Sequence, residues 1–124
     1  MNPYKIKLYH YSNVEDIDKV KPCYFNGEGF TALSGQLSNV KRSYWYVDSL
    51  NVEPSLKSSR CLYTCEVIEN SIYNVNIDSL KFNKFLTFNE ILRKVKSLNY
   101  KGIIGNTGRY NIVCLFYNQK VKRV

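Results

Sequence analysis

The sequence contains a single histidine, which stands near the end of a strand-forming segment. IKLYHY, residues 6–11, is rich in β-branched and aromatic residues, and its alternation places Ile6, Leu8 and His10 on one side. A strand-end imidazole can hydrogen-bond a ribose hydroxyl, so His10 is a candidate ligand-binding residue. A lone histidine more often forms a structural hydrogen bond than it acts in catalysis. Both interpretations of His10 stay open at this point.

A long segment with three glycines follows this strand. PCYFNGEGFTALSGQLSN, residues 22–39, has glycines at positions 27, 29 and 35 and is typical of an irregular loop. Loops of this length inside a small domain are usually functional. Glycine also lets a backbone approach a ligand closely. The segment therefore predicts a binding loop that follows the strand of His10.

The next segment, KRSYWYVD (residues 41–48), places three aromatic rings behind two positive charges. On a strand, Tyr44 and Tyr46 share one side and Trp45 takes the other. The three rings therefore cannot form one platform for stacking bases. A basic nucleic-acid-binding module that uses Arg42 and these rings remains the third hypothesis for function.

The four cysteines do not have the spacing of a zinc site. Cys61 and Cys65 belong to one strand-like segment and share a side, and His10 alone supplies too few further ligands. Without a secretion signal, a disulfide framework is not expected. We predict no metal and four buried, reduced thiols. No phosphate-binding Walker loop, serine-hydrolase motif or zinc-protease motif occurs either.

Composition limits the class of protein. The chain has 124 residues, 44% of them hydrophobic, and a net charge of +8, with a sequence pI near 9.3. These values predict a single folded domain over residues 1–124 with an anionic partner. No apolar run approaches the ~20 residues of a membrane-spanning helix. The N-terminus lacks a signal-peptide pattern, so we expect a cytoplasmic protein without a membrane partner.

Strand-forming segments outnumber helical ones and predict an α+β fold. Strands are predicted over 6–11, 42–47, 61–68, 71–75, 102–104 and 111–117, and the clearest helix lies within 81–99. Thr87 and Glu90 match a helix-capping box, and the predicted apolar stripe of the helix is Ile91, Leu92, Val95 and Leu98. Short connections favour antiparallel pairing, and hence a small split sheet or sandwich.

The order of several short motifs resembles the ADP-ribosyltransferase superfamily. LYHYS, PCYFNGEGF, RSYWYV, NYKGIIGN and NIVCLFYNQKV succeed one another over nearly the whole chain. They are most similar to compact versions from phage and mobile-element proteins, including the ART domains of polyvalent proteins. The resemblance implies a small ADP-ribosyltransferase-like fold, a split antiparallel β-sheet sandwich with short helices. The matching residues are His10, Ser12, Pro22, Gly27, Gly29, Tyr44, Tyr46, Tyr100, Lys101, Gly102, Phe116 and Val121.

The resemblance also implies an activity and its site. NAD would be the substrate, with His10 and Ser12 at its adenosine ribose and the glycine loop, Gly27 and Gly29, against it. Tyr44 or Tyr46 would stack on the nicotinamide, and Arg42 would reach the pyrophosphate. The implied reaction cleaves the nicotinamide–ribose bond and transfers ADP-ribose to a host protein or nucleic acid with an acidic surface.

The sequence departs from the superfamily at its usual glutamate. Where that residue normally begins the final strand, this chain has Asn111, which can hydrogen-bond a ribose hydroxyl but has no negative charge. Glu28, in the glycine loop, is the alternative catalytic carboxylate, and Gln36 is a neutral analogue of it. The sequence therefore supports two hypotheses ahead of nucleic-acid binding. One is an active mono-ADP-ribosyltransferase of viral or mobile-element origin, and the other is a catalytically silent relative that binds a nucleotide or a host partner.

Overall fold

The computed structural model describes residues 4–23, 40–74, 88–106 and 110–124. Most of this part of the chain is in strands. The strands are β1 (Lys5–Ser12), β2 (Lys19–Val20), β3 (Ser43–Tyr46), β4 (Cys61–Ile68), β5 (Ile72–Asn74), β6 (Gly102–Asn106), β7 (Asn111–Leu115), β8 (Gln119–Lys120) and β9 (Lys122–Arg123). One α-helix, α1 (Phe88–Ser97), and two short 3₁₀ helices, Pro54–Ser58 and Glu69–Ser71, accompany them. The mixed α+β class predicted from the sequence is thus confirmed.

Seven strands form one mixed sheet in the order β5-β6-β7-β3-β1-β4-β9, and β2 and β8 form a separate two-stranded ribbon. The expectation of purely antiparallel pairing is wrong, because β5 and β6 run parallel, with Ile72 opposite Gly102. A parallel pair needs a long crossover connection, and here the connection contains α1. Gly102 is required in β6, because a Cβ there would lie 2.2 Å from the Cys114 carbonyl oxygen.

Both faces of the large sheet are packed. The helix face, covered by α1, buries Tyr46, Tyr73, Ile103 and Ile112 against Leu92 and Val95. The ribbon face, covered by the β2–β8 ribbon, buries Leu8, Trp45, Val113 and Leu115 against Val20. The alternation predicted for YWY is therefore confirmed, since Tyr46 packs on the helix face and Trp45 on the ribbon face.

Helix α1 ends in a left-handed residue. Asn99 has φ of 68°, and the amides of Asn99 and Tyr100 donate to the carbonyls of Lys96 and Val95, which is a Schellman cap. Leu92 and Val95 are buried as predicted, but Leu98 lies beyond the helix and is 52% exposed. Thr87 of the predicted capping box lies outside the described residues. No helix in the described ranges is long and apolar enough to cross a membrane.

The two halves of the large sheet are joined by very little backbone pairing. β1 pairs with β4 along its whole length, and β3 pairs with β7 over all four of its residues. Between β1 and β3, however, the register contains a single pair, Tyr9 opposite Tyr46. β3 ends at this pair, so none of its residues lies opposite residues 5–8 at the start of β1.

Candidate functional site

A cleft of about 550 Å³ lies beside the start of β1, next to the point where β3 ends. Its volume falls within the roughly 300–1,000 Å³ that is usual for small-molecule sites. Residues from β1, from the end of β3, from the segment 69–74 and from β6 surround it. They are Ile6, Lys7, Tyr9, Val47, Glu69, Asn70, Ile72, Tyr73, Asn74, Tyr100 and Ile104.

The lining of this cleft combines aromatic rings with a few polar groups. Tyr73 and Tyr100 form an edge-to-face pair with ring centroids 5.4 Å apart. Lys7 Nζ stands 5.8 Å from the centre of the Tyr9 ring. Glu69 and Asn70 add an exposed carboxylate and an exposed amide. Rings for stacking, one cation and hydrogen-bonding amides are the groups that a nucleotide-sized ligand requires.

His10 lies on the ribbon face, away from this cleft. Its ring is 5.1 Å from that of Trp45, and its Nδ1 is 2.9 Å from the Tyr44 carbonyl oxygen. A carbonyl only accepts, so Nδ1 carries the proton and donates, which leaves Nε2 as an acceptor. The imidazole thereby joins β1 to β3 where the backbone ladder does not. This bond is the structural role that the sequence analysis left open for His10.

Burial lowers the pKa of His10, and the bond to Tyr44 only partly opposes the shift. As pH falls, the unfolded chain is protonated first, so the unfolding free energy should decrease below about pH 6.5. Because His10 is the sole histidine, the change of the unfolding free energy in this pH range reports on its titration. The amide of His10→Asn can still donate to Tyr44. We expect this variant to show a weaker dependence of the unfolding free energy on pH between about pH 7.5 and 5.5. Urea unfolding across this range measures it, and an unchanged slope would contradict the assignment.

The other predicted ligand residues on β3 face the opposite side of the sheet from His10. Tyr46 is 7% exposed, its ring meets that of Tyr110 edge to face, and burial raises its pKa. Arg42 is fully buried, and its Nε donates to the Tyr44 hydroxyl at 2.8 Å. The structure therefore places the side chains of Arg42, Tyr44 and Tyr46 on the helix face, and His10 meets only the backbone carbonyl of Tyr44.

The remaining predicted residues are dispersed. Ser12 ends β1, and its hydroxyl accepts from the amide of Val14. Asn111 opens β7, is exposed, and does not line the cleft. The glycine loop, with Gly27, Glu28, Gly29 and Gln36, lies outside the described residues.

Three of the four cysteines are buried in the structure. All four are free, and Cys61, Cys65 and Cys114 are buried, but Cys23 is exposed, which corrects the expectation that all are buried. Burial raises the pKa of both Cys65 and Cys114 to about 12. These two thiols are therefore protonated at neutral pH and are poor nucleophiles. In the described segments, no three histidine, cysteine or acidic side chains gather in a way that could hold a metal ion.

Sequence reasoning missed the cleft because its residues come from four separate segments. The available signal was the outward side of β1, where Lys7 and Tyr9 alternate with the buried Leu8. An exposed ring beside a cation on a strand is a recognisable ligand contact, but its partners Tyr73 and Tyr100 are distant in sequence. Comparison with known proteins adds no guide, since no family model, curated protein or solved structure matches this chain.

Proposed function

We propose that this protein binds NAD or a related nucleotide in the tyrosine-lined cleft and is a mono-ADP-ribosyltransferase of viral or mobile-element origin. It would act in the host cytoplasm on an acidic protein surface or a nucleic acid. The fold proposed for this activity is an ADP-ribosyltransferase-like sandwich. The observation that carries the proposal is the cleft itself, with Tyr9, Tyr73 and Tyr100 around a space of about 550 Å³. The order of the sequence motifs supports the choice of NAD among nucleotides.

The cleft offers a partner for each part of a dinucleotide. Tyr9 is only partly buried, so its ring can stack on a base or on nicotinamide. Lys7 is exposed beside it and can meet a phosphate oxygen with a charge-assisted hydrogen bond. Asn70 can donate and accept at the edge of a base or at a ribose hydroxyl. These contacts use groups that the fold leaves accessible.

The transfer needs a carboxylate near the ribose. The bond between nicotinamide and ribose C1′ breaks, and nicotinamide leaves with the electron pair. The target nucleophile then bonds to C1′ and gives up its proton. A carboxylate that binds the ribose hydroxyl stabilises the positive charge that develops on the ring. Glu69 is the carboxylate that lines the cleft within the described part of the chain, and Glu28 of the glycine loop remains the candidate from the sequence.

A second function, nucleotide binding without turnover, is favoured by a specific observation. The start of β7, where a catalytic glutamate would be expected, holds Asn111. An amide at this place has no negative charge with which to lower the barrier to transfer. Such a protein would occupy the cleft with a nucleotide and bind a host partner without modifying it.

Ligand-dependent stabilisation tests the cleft. At a nucleotide concentration one hundred times Kd, the free energy of unfolding should rise by about 2.7 kcal/mol. We expect NAD or ADP-ribose to raise the melting temperature of the protein, and Lys7→Ala to weaken the affinity roughly tenfold, since one charged hydrogen bond is lost. Lys5→Ala, on the same strand but outside the cleft, is the matched control. No stabilisation by any nucleotide would refute the binding site.

Labelled NAD separates the two functions. Incubation with host lysate should place the label on protein or nucleic acid if the protein is a transferase, and Glu69→Gln or Glu28→Gln should abolish that labelling. Binding without labelling or nicotinamide release would instead identify the silent form.

A further inference from the structure

Two lysines face each other on the outer side of the β2–β8 ribbon. Lys19 and Lys120 are register partners in this antiparallel pair, and both are exposed. The other register pair is Val20 opposite Gln119, and Val20 is 8% exposed because it packs into the core of the ribbon face. Successive side chains on a strand point to opposite sides. Lys19 and Lys120 therefore point together away from the protein.

This arrangement is unfavourable for the protein alone. Directly opposed side chains on an antiparallel pair stand about 5 Å apart, and like charges there destabilise the pair. Among the described residues, the structure records no ion pair for either lysine. A bound anion would remove the repulsion.

Further exposed cations lie close to these two lysines along the chain. Lys21 follows Lys19 by two residues and is exposed. Lys122 and Arg123 of β9 follow Lys120 and are exposed as well. A partner with several negative charges in a row, such as a polymer, can meet more than one of these cations.

We propose that the outer side of the β2–β8 ribbon, with Lys19, Lys21 and Lys120 at its centre, binds the phosphodiester backbone of a nucleic acid. Lysine is a strongly hydrated point charge that suits phosphates. Interfaces between proteins are instead depleted in lysine and depend on aromatic or apolar anchors. Within the described ranges, none of the exposed large hydrophobic side chains lies on β2 or β8. The surface shares no residue with the tyrosine-lined cleft, so this proposal does not depend on whether the cleft binds a nucleotide.

The test measures the binding of a fluorescein-labelled single-stranded oligonucleotide by anisotropy over a series of salt concentrations. The full-length protein should bind with an affinity that falls linearly on a logarithmic salt scale. Lys19→Ala with Lys120→Ala should weaken binding roughly tenfold and lower the salt slope by about 1.4, at about 0.7 per lost phosphate contact. Lys5→Ala with Lys57→Ala removes the same charge from exposed positions elsewhere and should change the affinity less than twofold.

A single charge reversal distinguishes a loss of binding from a loss of fold stability. Lys120→Glu places an opposite charge against Lys19, so the melting temperature should stay equal or rise while binding to the oligonucleotide is lost. Equal losses in the ribbon and control variants, or no salt-dependent binding, would overturn the proposal. So would competition by polyglutamate as effective as that by unlabelled oligonucleotide at equal charge, which would identify an acidic protein as the partner.

Discussion

Replacing Arg42 by alanine is expected to lower the free energy of unfolding by about 3 kcal/mol or more, because a fully buried side chain and its hydrogen bonds disappear together. Arg42 is 0% exposed. Its guanidinium donates to the Tyr44 hydroxyl and to the Val40 carbonyl, and it lies 5.2 Å from the centre of the Tyr44 ring. The loss would leave a cavity and buried oxygens without these donors. Urea unfolding followed by circular dichroism measures the effect.

Arg42→Met is the informative companion variant. Methionine keeps most of the buried volume and removes the charge, and replacing buried ionic groups by apolar ones of similar size often costs little. We therefore expect Arg42→Met to be more stable than Arg42→Ala. Lys57→Ala, which removes an exposed cation, should change stability by no more than about 0.5 kcal/mol.

The same variants decide whether Arg42 reaches the pyrophosphate of a ligand, as the resemblance to ADP-ribosyltransferases implies. The guanidinium is fully buried beside Val40, Tyr44 and Cys114, so we expect it to stabilise the fold and not to contact a ligand. Folded Arg42→Met should accordingly bind nucleotide within about twofold of the natural protein, well below the tenfold that 1.4 kcal/mol represents. A loss of affinity at unchanged stability would show instead that the guanidinium meets the ligand.

Local patterns in the sequence predicted those features of the fold that depend on neighbouring residues. The alternation in SYWY separates Trp45 from Tyr46 because successive side chains on a strand point to opposite faces. The segment CLYTCEVI was predicted as a strand over 61–68 and is β4, with its odd-numbered residues buried. The burial of every second residue on a strand is visible in the local sequence. A single sequence is sufficient to detect it.

Long-range pairing could not be obtained in this way. Segments 61–68 and 71–75 are adjacent in sequence, and a short connection favours pairing, but β4 pairs with β1 and β9 whereas β5 pairs with β6. Strand order depends on which apolar faces pack together. The parallel pairing of β5 and β6 follows from the position of α1 over the helix face, which no local pattern contains.

The candidate site illustrates the same limit. His10 was recognised by its residue type, yet its partner, the Tyr44 carbonyl, is 34 positions away in the chain. The cleft lies where β3 has ended and β1 continues past the Tyr9–Tyr46 pair. Which segments meet at the end of a strand depends on the assembled sheet, so Tyr9, Tyr73 and Tyr100 could not be grouped beforehand.

Trp45→Ala is expected to be the most damaging single change in the described core, with a loss of about 3–5 kcal/mol. Trp45 is 0% exposed, its indole Nε1 donates to Ser43 Oγ at 2.7 Å, and its ring packs beside His10 and Leu8. A domain of this size is stable by only about 5–15 kcal/mol. The variant should therefore lose a large share of its stability, and its thermal transition in circular dichroism should move to a markedly lower temperature.

Trp45→Phe provides the control, because it keeps a ring in the same space and loses the indole hydrogen bond and part of the packing. We expect this variant to fold and to lose about 1–2 kcal/mol. Since Trp45 is the sole tryptophan of the chain, its fluorescence in the natural protein should also shift to longer wavelength in the same transition that circular dichroism records. Unfolding transitions that differ between the two probes would show that the two halves of the sheet, joined by the Tyr9–Tyr46 pair and the His10 side chain, unfold separately.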